Sequence, residues 1–256
     1  MPDVLVEGLS CERGGFRLWI PRLEVADGEK VAVLGENGSG KSTLLLCMAG
    51  ILSYAGRVLV GGREVSSLSP MERARLVAYL PQRIDVAFDY PVYQVVLWGR
   101  YPYFGGSPRP EDRRATDRVL REHGLCHLRD RGIFSLSGGE RRRVFFAKVV
   151  NQCAPLLLLD EPTSMMDVKS ARRSLEAVAA GDATVLCVLH DVNLALTFFK
   201  RVIFLKEGKV VFDVGSDEVD EEMLFRVYDT RFCRRECFSL CLQEGGGALA
   251  GGGGHP

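Results

Sequence analysis

The chain has 256 residues, 46% of them hydrophobic, and Lys plus Arg equal Asp plus Glu at 33 each. This length and apolar content suit one large or two small domains with a full core, and the balanced charge gives no electrostatic reason to expect nucleic acid as a partner. No window approaches the ~18 apolar residues that cross a bilayer, and the N-terminus lacks the pattern of a signal peptide. We therefore expect a chain that stays in the cytoplasm, either alone or against a membrane protein.

Two kinds of strand are predicted. The segments "VLVEGLS", "FRLWI", "RLEVADGEK" and "GRVLVGGREV" alternate apolar and polar residues between turns, which is typical of an antiparallel sheet with one solvated face. In contrast, "KVAVLG" (30–35), "PLLLLDEP" (155–162) and "ATVLCVLHD" (183–191) are continuous apolar runs. Such runs indicate strands buried on both faces of a mostly parallel sheet, so we predict an α/β fold with helices on both sides.

Residues 35–43, "GENGSGKST", fit the phosphate-loop pattern G-x-x-x-x-G-K-[ST] between a predicted strand and a predicted helix. Glycines allow the backbone to curl so that its amides surround phosphate oxygens, Lys41 can reach the β- and γ-phosphates, and Ser42 can offer its hydroxyl to Mg²⁺. The predicted nucleotide-contacting residues of this loop are Gly35, Asn37, Gly38, Ser39, Gly40, Lys41, Ser42 and Thr43.

A stretch of different character covers residues 88–134. Its second half places Ala115, Val119, Leu120 and Leu125 at helical spacing among charged residues, and its centre is rich in proline and glycine. The spacing predicts an amphipathic helix, and the centre predicts a loop. We therefore expect a helical lobe inserted into the sheet.

Three chemically useful side chains follow the buried strands. Asp160 suits the shell of a Mg²⁺ ion, and Glu161 is placed to orient or deprotonate a water that attacks the γ-phosphate. His190 ends the third strand, at the carboxyl edge where ligands of open α/β sheets collect, and we expect it to contact the γ-phosphate. Lys41, Glu161 and His190 should thus meet at one edge of the sheet.

The order of these motifs carries a family resemblance. The phosphate loop, "LSGGE" (136–140), "LLLLDEP" and "SMMD" (164–167), followed by a histidine, resemble the ATP-binding-cassette (ABC) ATPases over roughly residues 3–229. The resemblance implies a P-loop NTPase (RecA-like) core with an antiparallel β subdomain and an inserted α-helical subdomain, ATP hydrolysis, and ATP and Mg²⁺ as cofactors. It also implies that Gln82 senses Mg²⁺ and a transmembrane partner, and that Asp167 communicates between two subunits.

The same resemblance gives the LSGGE segment a role. Two cassettes of that family pack head to tail, so Ser137, Gly138 and Gly139 would donate to a γ-phosphate held by the other copy of a homodimer. The following residues, Arg141 to Arg143, are expected to pair with acids in the lobe or its partner. Phe16 or Trp19 is expected to stack on the adenine, with a place in the core as the alternative for Phe16. The methionines at 165 and 166 stand where small and aliphatic residues are more usual, a change that the flexibility of methionine should tolerate.

The segment "VVLWGRYPYFGG" is similar to the V-x-x-G-R-x-P segment of cassettes that serve importers of iron siderophores, haem and cobalamin. This similarity implies integral-membrane permease subunits as partners, a substrate-binding protein that acts indirectly, and a peripheral position at the cytoplasmic face of the inner or plasma membrane. Pro91, Trp98, Arg100, Tyr101 and Tyr103 are the mix expected at a protein interface, with Trp98 equally suited to the core of the lobe.

Other functional interpretations of the sequence remain. A soluble cassette, for example in iron–sulfur cluster assembly, would share the nucleotide site, and the aromatic "GRYPYF" segment argues against it. The start "LSCERGGFRLW" is reminiscent of haem-export cassettes. A small-molecule kinase would leave LSGGE and His190 unexplained.

The C-terminal residues are predicted to form an extension (230–245) and a glycine-rich, disordered tail (246–256). Within the extension, Cys233, Cys237 and Cys241 repeat every fourth residue. A metal site is one interpretation, but no CxxC pair or neighbouring histidine supports it, and a short strand pair is favoured. Most of the eight cysteines are expected to be small buried hydrophobes.

Overall fold

A computed structural model describes residues 4–232. The strands in this range are β1 (Val4–Arg13), β2 (Phe16–Val25), β3 (Lys30–Leu34), β4 (Ala55–Val60), β5 (Arg63–Glu64), β6 (Val77–Leu80), β7 (Leu156–Asp160), β8 (Thr184–Val188), β9 (Arg201–Lys206) and β10 (Lys209–Gly215). The α-helices in the same range are α1 (Lys41–Met48), α2 (Pro70–Leu76), α3 (Val92–Leu97), α4 (Pro110–Glu122), α5 (Gly138–Asn151), α6 (Val168–Ala180), α7 (Val192–Phe198) and α8 (Glu221–Tyr228).

The strands form two sheets, as predicted. The antiparallel sheet has the order β2-β1-β4-β5, and the second sheet has the order β10-β9-β3-β8-β7-β6. In the second sheet β6, β7, β8, β3 and β9 are mutually parallel, and β10 pairs antiparallel with β9. The three continuous apolar runs are the central strands β3, β7 and β8, so their carboxyl ends lie side by side at one edge.

Helix α1 lies between the two sheets. Its side chains Leu44, Leu45, Cys47 and Met48 are buried in a core that also contains the inner face of the antiparallel sheet and one face of the parallel sheet. The other face of the parallel sheet packs on residues of α5, α6, α7 and α8. Burial on both faces is why these strands lack the alternation of polar and apolar residues.

The predicted helical lobe contains α3, a 3-10 helix at Trp98–Tyr103, and α4. Its apolar core includes Val92, Val96 and Leu120, and Val144 from α5 contributes to it. The helical spacing that extends to Leu125 overestimates the length of α4. The helix ends at Glu122 because Gly124 adopts φ 64°, and Leu125 then packs into the same core from outside the helix.

A buried polar network, not foreseen from the sequence, joins the lobe to α5. Arg100 pairs with Asp112 at 3.2 Å, and its guanidinium also donates to the carbonyl of Asn151. The amide of Asn151 donates to Thr116 at 2.9 Å. The Arg100 guanidinium lies over the ring of Tyr103 at 4.2 Å. Arg100, expected at a partner interface, therefore serves the interior of the lobe, because Asp112 and the end of α5 accept its donors there.

The part of the chain between residues 4 and 232 contains no helix that is long and apolar enough to cross a membrane. Among the cysteines in this range, Cys11, Cys47 and Cys187 are buried as expected, whereas Cys126 and Cys153 are exposed. The predictions for residues 233–256, including the three spaced cysteines and the glycine-rich tail, fall outside the described residues.

Lowering the pH is expected to destabilise the lobe through His123, which packs edge-on against Phe146. Burial and the nearby Arg173 lower the pKa of His123 to about 4, against about 6.5 in the unfolded chain. As the pH falls from 6.5 towards 4, the unfolded chain binds a proton that the folded chain does not. The titration of His123 should therefore lower the free energy of unfolding by about 2 kcal/mol between pH 7 and pH 5.

Urea denaturation at the two pH values measures this effect. His123→Phe, which retains a ring against Phe146 but does not titrate, should remove that part of the pH dependence. The exposed His127 offers the matched control, because His127→Gln should leave it in place. An unchanged pH dependence in His123→Phe would contradict the assignment.

Candidate active site

A cavity of about 530 Å³ lies at the carboxyl edge of the parallel sheet. The loop between β3 and α1 forms one wall, and residues that follow β6, β7 and β8 form another. Its lining residues are Arg13, Phe16, Asn37, Gly38, Gly40, Lys41, Ser42, Thr43, Gln82, Glu161 and His190. The structure therefore brings Lys41, Glu161 and His190 to one cavity, as the strand order requires.

The loop owes its shape to glycine. Gly35, Gly38 and Gly40 have φ values of 146°, 81° and 105°, which side chains with a Cβ rarely adopt. A Cβ at Gly35 would lie 2.1 Å from the carbonyl oxygen of Leu205. Asn37 and Gly38 are exposed at the cavity, while Ser39 is buried beneath them. The loop thus places two glycines, Gly38 and Gly40, in the cavity wall, where backbone amides can bind an anion.

Lys41 is the first residue of α1 and is buried. Its Nζ donates to the carbonyl oxygens of Gly35 at 2.8 Å and Glu36 at 2.7 Å. Burial lowers the pKa of this ammonium, and the carboxylates of Glu161 and Asp160 oppose that change. A buried cation held only by neutral carbonyls is well placed to meet the charge of a phosphate.

Asp160 ends β7 and is 1% exposed. Within residues 4–232 its Oδ1 has no hydrogen-bond partner, and its Oδ2 accepts from the Tyr79 hydroxyl at 3.5 Å. Burial raises the pKa of this carboxyl group, and the hydroxyl of Ser42 opposes the change. A buried carboxylate oxygen without a partner beside a serine hydroxyl is a set of oxygen donors that fits Mg²⁺.

Glu161 is held by groups from both neighbouring strands. Its Oε1 accepts from Gln82 Nε2 at 2.6 Å and lies 2.5 Å from His190 Nε2. Its backbone has φ 50° and its amide donates to the carbonyl of Val188 on β8. A non-glycine residue in this conformation costs roughly 1–3 kcal/mol and is common in active sites. The three side chains form one connected cluster facing Lys41 across the cavity.

The LSGGE residues lie elsewhere. Ser137 caps α5: its Oγ accepts from the Glu140 amide at 3.2 Å, and Glu140 accepts from the Ser137 amide at 2.9 Å. Gly138 and Gly139 begin the helix and face Met165, such that a Cβ at Gly139 would lie 2.7 Å from the Met165 carbonyl oxygen. Within residues 4–232, these three residues do not line the cavity that contains Lys41.

Asp167 also lies away from this cavity and caps a helix. It accepts from the amide of Ser170 at 2.9 Å and from its hydroxyl at 2.7 Å, at the start of α6. These hydrogen bonds lower the pKa of its carboxyl group. The inter-subunit role predicted for Asp167 remains a prediction, and within one chain this residue stabilises the helix that follows Met165 and Met166.

Both aromatic candidates for base stacking lie beside the phosphate loop. The Phe16 ring packs on Gly40, where an added Cβ would approach Phe16 Cζ to 2.9 Å. Trp19 is partly exposed and lines a neighbouring cavity of about 640 Å³ together with Phe16, Asn37 and Lys206. Phe16 lines both cavities, whereas Trp19 lines the neighbouring cavity and not the one that contains Lys41.

The structure corrects the prediction for Arg142. This side chain does not pair with an acidic side chain of the lobe; it is 4% exposed and donates to backbone carbonyl oxygens beside the active site. The hydroxyl of Tyr228 on α8 accepts from the amide of Gly35 at 3.2 Å, a second contact that the sequence did not reveal. Neither residue lies in a motif that marks it, because three consecutive arginines and a helical tyrosine have no local signature.

The curled loop, the buried Lys41 and the acids that end β7 define a P-loop nucleotide-binding protein. Comparison with known proteins narrows this class. The family model described as "ABC transporter" matches residues 20–164, and this match covers more than half of the chain. The chain belongs to the ABC transporter family.

Individual relatives and solved structures agree with this family assignment. The cobalamin import ATP-binding protein BtuD of Halobacterium salinarum is 39% identical over 217 residues, covering 82% of this chain. This chain spans only about half (54%) of that protein's length. The hemin import ATP-binding protein HmuV of Bordetella avium is 38% identical over 226 residues, covering 83% of this chain and 86% of that protein. A solved structure described as an inward-facing, metal-chelate type ABC transporter has a TM-score of 0.78 at 25% identity, covering 90% of each chain.

Proposed function

We propose that this chain is the ATP-hydrolysing subunit of an ABC importer for an iron complex such as a siderophore or haem, for cobalamin, or for a related metal compound. The observation that carries hydrolysis is the cluster of Gln82, Glu161 and His190 facing Lys41 across one cavity. The choice of solute class is supported by relatives that are named for the import of cobalamin and hemin.

Residues in and beside the cavity would divide phosphate binding, metal binding and hydrolysis among them. The amides of residues 35–40 and the Lys41 ammonium bind the ATP phosphates, and Thr43 lies next to them on α1. Ser42, Asp160 and the amide oxygen of Gln82 would hold Mg²⁺, which when bound neutralises charge on the phosphates. Glu161 orients and deprotonates the attacking water, and His190 keeps the Glu161 carboxylate in place and contacts the γ-phosphate.

A second copy of the chain completes this site. Ser137, Gly138 and Gly139 form the N-terminus of α5, a helix of 14 residues, and lie away from the Lys41 of their own chain. A helix N-terminus attracts anions because its amides and its dipole favour negative charge. In a head-to-tail homodimer these groups would reach the γ-phosphate bound by the partner, and the Asp167 loops would meet across the interface.

The lobe carries the surface for the permease. Phe88, Tyr101 and Phe134 are 66%, 55% and 51% exposed, and we name them the lobe aromatic surface. Trp98 is half-buried and its ring contacts that of Tyr90 at 4.6 Å, beside the exposed Pro91. Exposed aromatic side chains are enriched in the centres of protein interfaces. Integral-membrane permease subunits would dock here, and the cassette would then lie peripherally at the cytoplasmic face of the membrane. A substrate-binding protein would act only indirectly, and nucleic acid would not be a partner.

Tyr101→Ser is expected to separate hydrolysis from docking. The purified variant should release phosphate from MgATP at the wild-type rate, because Tyr101 lies outside the cavity. It should be captured at least about 10-fold less well by membranes that contain its permease, since interface aromatics can contribute 2 kcal/mol or more. Phosphate release and co-sedimentation measure the two properties.

Phe225→Ser is the matched control, because Phe225 is an exposed aromatic residue on α8, outside the lobe. It should be captured like the wild type. Phosphate release without capture of the wild type would favour a soluble cassette, and capture that is insensitive to Tyr101→Ser would place the permease on another surface. A wild-type chain that releases no phosphate would contradict the proposal as a whole.

A further inference from the structure

Arg142 is the inward-facing member of the run Arg141–Arg143. It lies in the second turn of α5 and is 4% exposed, whereas both its neighbours are partly exposed. Burial lowers the pKa of this guanidinium, but arginine remains charged in proteins. A buried charge is unfavourable unless its donors are satisfied, so the partners of Arg142 determine what it does.

Those partners are carbonyl oxygens of two chain segments at the active site. They belong to Pro81 (2.6 Å), Gln82 (3.3 Å), Asp160 (2.5 Å), Glu161 (2.7 Å) and Pro162 (3.3 Å). Residues 81 and 82 follow β6, and residues 160–162 end and follow β7. One guanidinium thus joins the ends of two adjacent parallel strands from behind the cavity.

The side chains on the cavity side of the same residues are also joined. Gln82 Nε2 donates to Glu161 Oε1 at 2.6 Å, and the Glu161 carbonyl that accepts from Arg142 belongs to a residue with φ 50°. A strained backbone of this kind persists only where its surroundings hold it. Arg142 supplies part of that restraint, since its Nη2 donates to the carbonyl oxygens of Asp160 and Glu161, which belong to the two peptide groups that flank the Cα of Glu161.

We propose that Arg142 is a positioning residue that sets the relative placement of Gln82 and Glu161 and couples it to the N-terminus of α5. This inference rests on the proposed ATP hydrolysis. Because Arg142 and Ser137 lie on the same helix, a shift of that helix when Ser137, Gly138 and Gly139 meet a phosphate is passed to the catalytic cluster. The planar guanidinium suits this task, because its donors diverge in fixed directions, whereas a lysine ammonium is a single centre.

Arg142→Met tests the proposal. The kcat for ATP hydrolysis should fall about 10- to 100-fold, since misplacement of catalytic groups by about 1 Å has effects of this size. The KM and the dissociation constant for MgATP should change by less than about 3-fold, because Arg142 makes no contact with the phosphate loop. Amide hydrogen exchange in residues 82–83 and 160–164 should become faster.

Arg100→Met is the matched control, because Arg100 is also shielded from solvent and binds a backbone carbonyl, but that of Asn151 at the opposite end of α5 from Ser137. It should lower stability while leaving kcat per folded molecule and exchange at the active site unchanged. An unchanged kcat in Arg142→Met, or an equal loss of kcat in Arg100→Met, would overturn the proposal.

Arg142→Lys decides the question if Arg142→Met does not fold. Its ammonium can bind some of the five carbonyls, so its kcat should lie between those of the wild type and a tenfold loss, with an unchanged KM. A wild-type kcat and wild-type exchange in Arg142→Lys would overturn the proposal. Absence of turnover in the wild type would reject the proposed function instead, and the exchange experiment would then still decide whether Arg142 holds the two segments.

Discussion

Glu161→Gln is expected to lower kcat for ATP hydrolysis by about 100- to 10,000-fold, the range for loss of a general base. Glutamine has the shape of glutamate and can still bind Gln82 and His190, but it cannot take a proton from water. Binding of MgATP should persist, because Lys41 and the loop amides are unchanged. Hydrolysis resets the proposed dimer, so the variant should accumulate as a closed, ATP-bound dimer.

Phosphate release measures the first effect, and size-exclusion chromatography with and without MgATP measures the second. Glu176→Gln is the control, because Glu176 is an exposed glutamate on α6 that pairs with Arg172. Turnover close to that of the wild type would remove Glu161 as the base. A variant that binds MgATP but stays monomeric would show that the composite-site account is wrong.

A mixture of Lys41→Met and Gly138→Asp chains is expected to regain activity that neither variant has alone. Lys41→Met removes the ammonium that meets the phosphates, and Gly138→Asp puts a negative charge where the partner's γ-phosphate would lie. Among the described residues, a Cβ at Gly138 meets only Met165 side-chain atoms, at 3.3 Å and 3.8 Å, so the carboxylate can be accommodated at this helix start. Each variant alone should lose at least about 100-fold in kcat.

In a mixed dimer one composite site carries both changes and the other carries neither. If the chains mix randomly and the two sites act independently, an equal mixture should reach about a quarter of the wild-type rate. Phosphate release, measured after mixing at constant total protein, gives the result. Lys41→Met mixed with Lys41→Arg is a control, because no intact site can form from two phosphate-loop variants. Activity in Gly138→Asp alone, or no gain on mixing, would contradict the contribution of the LSGGE segment in trans.

Much of the candidate site could be predicted because its signals are local. The loop at 35–43 needs glycine where φ is positive, and Lys41 and Ser42 follow at fixed spacing. The apolar runs that precede Glu161 and His190 identify strands buried on both faces, and parallel strands bring their carboxyl ends to one edge. Period and spacing therefore sufficed for the α/β class, the phosphate loop and the convergence of Lys41, Glu161 and His190.

The partners of polar side chains were not predicted as well. Ser137 and Asp167 carry a resemblance to inter-subunit residues, but within the chain they cap α5 and α6. Arg100 was expected at an interface and instead pairs with Asp112 inside the lobe. A polar side chain on a helix or loop has many possible partners, and burial of a polar group depends on whether one is within reach.

Arg142 shows most clearly the difference between what the sequence predicts and what only the tertiary structure decides. The sequence by itself determined a phosphate loop, three consecutive arginines after LSGGE, and buried strands that are followed by Glu161 and His190, whereas Gln82 was marked only by the family resemblance. Only the tertiary structure decided that one arginine would face inward, because its five acceptors come from segments about 20 and 60 residues away in sequence. Backbone carbonyls carry no side-chain identity, so no sequence pattern encodes such a contact, and only the packing of α5 against the ends of β6 and β7 creates it.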